Sequence, residues 1–334
     1  MLGLALGCSG KTPPDVGTGT GPAVAPSRPA PTSPGGTSTG TASATGTSRA
    51  TASATSSGTA TATPTASAAA PAAVVLGGVG ITVPGSIKAG ERRPFVLYLH
   101  GLGASGKLLV NKLEIAGLAE ERRFVYAAPD GSQDSIKRRF WNASASCCDL
   151  EKSGVDHVTA LKGLLAQAAA HPQVDPQRIF IVGFSNGGFM AHRLACEVEG
   201  IAGIASVAGA GQGAGESCSP RGPVAVLQVH GDADDVIPYQ GGHPLKQVAL
   251  PRHPSAPDTV AAWASRNGCT AKAPATTGTL DFEEKLPGEE TQMGLYTGCK
   301  RPVALWTVRG GSHYIGSHRK GQDAIYNYLE KNAR

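Results

Sequence analysis

The sequence predicts an α/β fold in which a mostly parallel β-sheet is covered by helices on both faces. Three observations point to it. From about residue 95 onward, apolar runs of four to seven residues recur and read as buried strands. Between them, apolar residues return three and four positions apart, which is the helical period. Several runs also close on glycine-rich or histidine-bearing turns, where a sheet of this kind places its ligands.

The elements follow in order. Residues 95–99 (FVLYL) form a strand ending in HGLGASG, and a helix is expected over 107–120 with Leu109, Leu113 and Ala116 on one face. A second strand covers 123–128 and stops at Pro129-Asp130-Gly131. The segment 131–154 is rich in small residues and reads as a loop. Val158, Leu161, Leu164 and Leu165 mark a helix over 155–170. The run 178–182 is the next strand, followed by a tight glycine turn and a helix to about Cys196. Two more strands read as IAGIASVA (201–208) and VAVLQVH (224–230), then a helix at 258–267, a strand at 302–308 and a last helix at 320–331.

The first quarter of the chain is different. Residues 9–75 are almost entirely Gly, Ala, Ser, Thr and Pro, with four charged side chains (Lys11, Asp15, Arg28, Arg49) and no Leu, Ile, Met or aromatic residue. Such a segment cannot bury enough apolar surface to offset backbone entropy, so a disordered linker is expected. Residues 1–8 (MLGLALGC) read as a truncated signal with a lipobox-like end, which makes Cys8 the candidate for lipidation. The remainder, 76–334, has the size of one α/β domain. The formal net charge is +5, with no basic run beyond Lys137-Arg138-Arg139, which argues against nucleic acid as a partner. Besides Cys8 the chain has Cys147, Cys148, Cys196, Cys218, Cys269 and Cys299. An even count beside an export-like start reads as disulfides in an oxidising compartment. The neighbours Cys147 and Cys148 are expected to take different partners, and spacing leaves the connectivity open.

The chemistry centres on GFSNGG. Ser185 sits between Gly183 and Gly187, at the end of one strand and the start of a helix. That is how a serine is exposed as a nucleophile, with the N–H of the next residue, Asn186, available to an oxyanion. A base and an orienting acid are then needed from later strand ends. After VAVLQVH come Asp232, Asp234 and Asp235, among which spacing alone does not choose. After the last strand comes His313, preceded by Gly310 and Gly311.

Together LHGLGASG, FWNASASCCD, VDHV, GFSNGGFMAHRLACE, HGDADDVIPYQGG and GGSHYIG resemble the secreted polyhydroxybutyrate depolymerase and feruloyl esterase group. These are carbohydrate esterase-type α/β-hydrolases that include acetyl xylan esterases and lipoprotein esterases. The resemblance runs over about 94–330. It implies Ser185 as nucleophile, Asp234 as acid, His313 as base, and Leu102 as the second oxyanion donor beside Asn186. With the late position of both residues, it also implies a Cys269–Cys299 disulfide. Two positions depart from the family pattern: His157 stands where a second Asp is common, and Ile315 where a Trp often follows the catalytic His. Loss of that Trp weakens the case for a bulky feruloyl group, which leaves Trp141 as the candidate aromatic wall and Ile315 as a substrate-side residue.

The expected protein is thus a secreted, lipid-anchored, monomeric serine esterase acting on short-acyl or polymer-linked esters, polysaccharide or polyester, without cofactor or metal. The alternative is a catalytically inactive, tethered binding protein on a hydrolase fold.

Overall fold

The structure, a computed structural model, describes residues 74–332. The signal-like segment with Cys8, and the linker as far as residue 73, lie outside them. Nine strands make one sheet: β1 (Gly77–Thr82), β2 (Arg93–Leu99), β3 (Val125–Asp130), β6 (Val174–Phe184), β7 (Gly203–Val207), β8 (Ala225–Gly231), β9 (Ala275–Leu280), β10 (Thr291–Leu295) and β11 (Val303–Val308). Two short strands, β4 (Ser132–Gln133) and β5 (Arg139–Phe140), pair separately. The order across the sheet is β1-β3-β2-β6-β7-β8-β11-β10-β9. The six strands from β3 to β11 run parallel, and antiparallel strands finish both edges.

Six helices cover the sheet: α1 (Gly106–Lys112), α2 (Ile115–Arg122), α3 (His157–Ala170), α4 (Asn186–Glu197), α5 (Ala256–Arg266) and α6 (Arg319–Asn332). Alternation along β2 divides the core in two. Phe95, Leu97 and Leu99 pack with Leu161 of α3, Phe189 of α4 and Trp263 of α5. Val96 and Tyr98 pack with Leu109 of α1, Leu118 of α2 and Ile325 of α6. Every strand residue from Phe95 to Leu99 is buried, as a parallel sheet covered on both faces requires. No helix among the described residues is long and apolar enough to cross a membrane.

Three expectations are corrected. The single helix over 107–120 is two helices, broken where Glu114 takes a left-handed φ of 52°. Leu113 and Ile115 are both buried, and residues two apart cannot share one helical face, so the break lets both point inward. The segment between Cys269 and Cys299, for which no element is expected, contains the hairpin β9–β10, and a further edge strand, β1, precedes the first expected one. Both β1 and β9 are largely exposed and carry weak apolar alternation. Finally, Cys147 and Cys148 are bonded to each other rather than to different partners. The end of α4 meets the loop after β7, where Cys196 and Cys218 have Cα atoms 4.8 Å apart and pair. Cys269 is joined to Cys299.

Candidate active site

Ser185, Asp234 and His313 follow the carboxyl ends of β6, β8 and β11. The turn at Ser185 is forced into φ 53°, ψ −120°, a conformation that costs on the order of 1–3 kcal/mol for a non-glycine residue. The surrounding glycines are what let it form. A Cβ on Gly183 would lie 2.0 Å from the Gly187 carbonyl oxygen, and one on Gly187 would lie 2.1 Å from that of Leu99. The strand end, turn and helix start therefore touch backbone to backbone, and Ser185 is left projecting above the sheet.

His313 Nε2 lies 3.0 Å from Ser185 Oγ, and His313 Nδ1 lies 2.8 Å from Asp234 Oδ2. Asp234 Oδ1 accepts the N–H groups of Val236 at 2.9 Å and Ile237 at 2.8 Å. Burial works to raise the pKa of Asp234. The hydrogen bonds from His230 and His313 and the backbone outweigh it, holding the carboxyl well below the usual carboxylate range. The acid is thus ionised wherever the site works. The other two aspartates of the loop have different places: Asp232 accepts the Gly310 N–H at 2.7 Å and so ties the acid loop to the histidine loop, while Asp235 is exposed and paired with Lys246.

The two oxyanion candidates lie on the segments beside Ser185. Asn186 opens α4, so its N–H has no intrahelical acceptor. The Leu102 N–H has no acceptor among the described residues. A Cβ on the neighbouring Gly101 would come within 3.3 Å of Ser185 Cβ, which places that loop directly against Ser185. His100 steadies the loop from below: its Nε2 accepts the Gly131 N–H at 2.9 Å.

Trp141 is not a pocket wall. It is fully buried, donates its indole N–H to the His100 carbonyl at 3.0 Å, and packs against the rings of His100 and His157. The expectation of an aromatic wall is corrected: this side chain anchors the segment beneath the oxyanion loop. Ile315 does line a cavity, of about 50 Å³, with Tyr98, Leu109, Leu113, Phe184 and Tyr314. The rings of Phe184 and Tyr314 are 5.4 and 5.3 Å from that of His313, so this apolar space adjoins the triad.

Sequence reasoning missed two residues. His230 Nε2 is 3.3 Å from Asp234 Oδ2, although the sequence marks His230 only as a strand end. The Asn186 side chain bonds both backbone groups of Trp141, which no local spacing could announce. Among the described residues, no cluster of three or more His, Cys, Asp or Glu is arranged to hold a metal ion.

A family model described as phospholipase/carboxylesterase matches residues 86–253, half of the chain. The chain belongs to this family. Like its members it is an ester hydrolase of the α/β-hydrolase type. The chain is 29% identical over 245 residues to the protein named "Putative esterase NocK" from Nocardia uniformis subsp. tsuyamanensis, covering 69% of this chain and 67% of that one. It is 26% identical over 254 residues to feruloyl esterase B of Piromyces equi, covering 73% of this chain but only 44% of the relative. In fold it is similar to an acetyl xylan esterase from Aspergillus awamori, with a TM-score of 0.55 at 15% identity over 75% of this chain and 92% of the other.

Proposed function

We propose that this carboxylesterase removes short acyl groups from polymer-linked esters, with Ser185 as nucleophile, His313 as general base and acid, and Asp234 as its orienting partner. The observation that carries the reading is the unbroken hydrogen-bonded line from Ser185 Oγ through His313 to Asp234, on a serine held at positive φ. As Oγ bonds to the ester carbonyl carbon, His313 Nε2 takes its proton. The carbonyl oxygen becomes an oxyanion between the N–H groups of Leu102 and Asn186. Collapse breaks the C–O bond to the alcohol, which leaves with the proton from His313. Water then adds to the acyl-enzyme by the same steps and releases the acid. Preorganised donors of this kind are worth several kcal/mol in the barrier.

The size of the adjoining cavity supports a small acyl group. A pocket that holds a benzene ring measures about 150 Å³, so an acyl chain that entered this space of about 50 Å³ past Phe184 and Tyr314 would be short. A polysaccharide such as xylan is the favoured polymer, since relatives and a fold neighbour are named as feruloyl and acetyl xylan esterases.

The reading also includes export with lipidation of Cys8, which rests on MLGLALGC and the linker composition. Detergent partitioning of the expressed gene product, with and without Cys8→Ala, checks it. An aqueous-phase protein carrying no lipid on Cys8 removes the anchor.

Turnover of p-nitrophenyl acetate and butyrate by wild type and Ser185→Ala tests the chemistry. Wild type should be active and the variant lose essentially all activity; equal rates would sink the mechanism. For the substrate, kcat/KM is compared on acetylated xylan, methyl ferulate and 3-hydroxybutyrate oligomers. An apolar pocket distinguishes a methylene by only about 1–3 kcal/mol, so overlap among short acyl esters is expected, whereas a preference of about a hundredfold for ferulate or for hydroxybutyrate would replace this reading.

A further inference from the structure

We infer that Trp263, His192, Gln228 and His230 form a one-way hydrogen-bond chain that fixes His230 as a neutral ring whose Nε2–H donates to the Ile237 carbonyl and faces Asp234, making His230 a positioning residue of the triad. The inference rests on the reading of Ser185, His313 and Asp234 as the catalytic group.

The direction of the chain follows from groups that have no choice. An indole N–H can only donate, and Trp263 Nε1 lies 2.9 Å from His192 Nδ1. That nitrogen therefore presents a lone pair, and the neutral ring carries its hydrogen on Nε2. His192 Nε2 is 3.0 Å from Gln228 Oε1, the acceptor end of the amide. The amide's orientation is settled independently, because Gln228 Nε2 lies 2.8 Å from the Gly209 carbonyl oxygen, which can only accept. Its second hydrogen points to His230 Nδ1 at 3.1 Å. His230 Nδ1 is thus a lone pair and Nε2 holds the hydrogen. That N–H faces the Ile237 carbonyl at 2.8 Å and Asp234 Oδ2 at 3.3 Å. A donor at one end and carbonyls at the middle and far end all demand the same tautomers.

Burial keeps the chain from being reset by water: Trp263, His192, Gln228 and His230 are each exposed by no more than 1%. Burial also pushes the His192 pKa down to about 4, consistent with a neutral ring. The titratable groups facing His230 are Asp234, the edge-on Tyr239 ring at 5.7 Å, and His253.

The consequence lies at Asp234. Its Oδ2 receives a hydrogen from His313 and faces the His230 Nε2–H at 3.3 Å, and its Oδ1 receives two backbone N–H groups. His230 therefore fixes the carboxylate plane without adding a positive charge. A charged imidazolium there would cancel Asp234 and leave the His313 imidazolium of the reaction poorly stabilised. Gln228 is the residue that prevents this. Glutamate at 228 would accept from both neighbours and draw a second proton onto His230.

Nitrogen-15 NMR of the histidine side chains in the resting protein near neutral pH reads the tautomers directly. His192 and His230 should each carry hydrogen on Nε2 alone. An Nδ1–H tautomer or an imidazolium at His230 would overturn the inference, whatever the enzyme's activity. Kinetics test the role. His230→Phe leaves the Asp234 carboxylate without the ring that sets its plane, and misplacement of catalytic groups costs up to about a hundredfold, so kcat should fall roughly ten- to a hundredfold, with KM little changed. Without that donor the Asp234 charge binds the His313 imidazolium more tightly, so the acid limb of kcat/KM should move to higher pH. His230→Gln keeps a donor and should restore most of kcat. An unmoved or lowered limb in His230→Phe, or an equal loss in both variants, would reduce His230 to packing. If Ser185→Ala retains turnover, the triad reading fails while the NMR result still stands or falls by itself.

Discussion

Asn186 serves the site through two different parts of one residue. Its N–H opens α4 toward the oxyanion position, while its side chain accepts the Trp141 N–H at 2.7 Å and donates to the Trp141 carbonyl at 2.9 Å. Trp141 in turn donates to the His100 carbonyl, directly before the Gly101-Leu102 turn. The two segments that carry the proposed oxyanion donors are therefore joined through buried side chains rather than set independently. Asn186→Ala would leave both Trp141 backbone groups unpaired, at about 1–3 kcal/mol for each buried group. Its melting temperature should fall, and kcat should drop by more than KM changes, because the donors matter most to the transition state. Steady-state kinetics and thermal denaturation check both; an unchanged kcat would mean that the side chain only stabilises. The backbone role of Asn186 was legible from its place after Ser185. The side-chain role was not, since its partner lies 45 residues earlier and only the fold brings the two together.

At the scale of elements, the strand-turn-helix of β6 and α4 was readable because its constraint is local. Glycines stand two positions to either side of Ser185 because backbone crosses backbone there, and they record it in sequence. Gly187→Ala should abolish activity or folding, as the new Cβ would sit 2.1 Å from the Leu99 carbonyl oxygen. Gly163 is the control. It is exposed within α3, and a Cβ there meets nothing within 4 Å, so Gly163→Ala should stabilise the protein by roughly 0.5–1 kcal/mol. Denaturation midpoints of the two variants decide whether close approach, not helix propensity, explains the elbow. The features that the sequence hid share one property: the determinant is remote. Edge strands β1 and β9 bury little and carry no clear period. The break between α1 and α2 appears only once the sheet requires both Leu113 and Ile115 to point inward.

For the whole molecule, the layered α/β core and the order Ser, Asp, His were legible because apolar runs and strand-end turns repeat along the chain. The buried histidines were not, since their roles depend on which backbone groups surround them. Burial lowers the pKa of His100, His157, His192 and His253, with His157 and His192 falling to about 4. His157 shows why neutrality matters. Its Nδ1 accepts the Asn142 N–H at 3.0 Å, and its Nε2 lies 3.0 Å from Ser132 Oγ, so a second ring proton would meet an N–H head on. The sign of the linkage follows. Folded-state values lie below the unfolded value of about 6.5, so the unfolded chain binds more protons in between. Stability is fully present above about pH 6.5 and is lost as pH falls toward the folded-state values near 4. His157→Gln titrates nothing in this window. It should melt lower than wild type at pH 8 through lost packing against Phe140 and Trp141. Its melting temperature should nevertheless fall less steeply between about pH 6.5 and 4. Thermal denaturation across that range, with the disulfides intact, measures both slopes. Parallel curves for the two proteins would show that His157 keeps its proton balance on unfolding, and that acid acts on this fold through other groups.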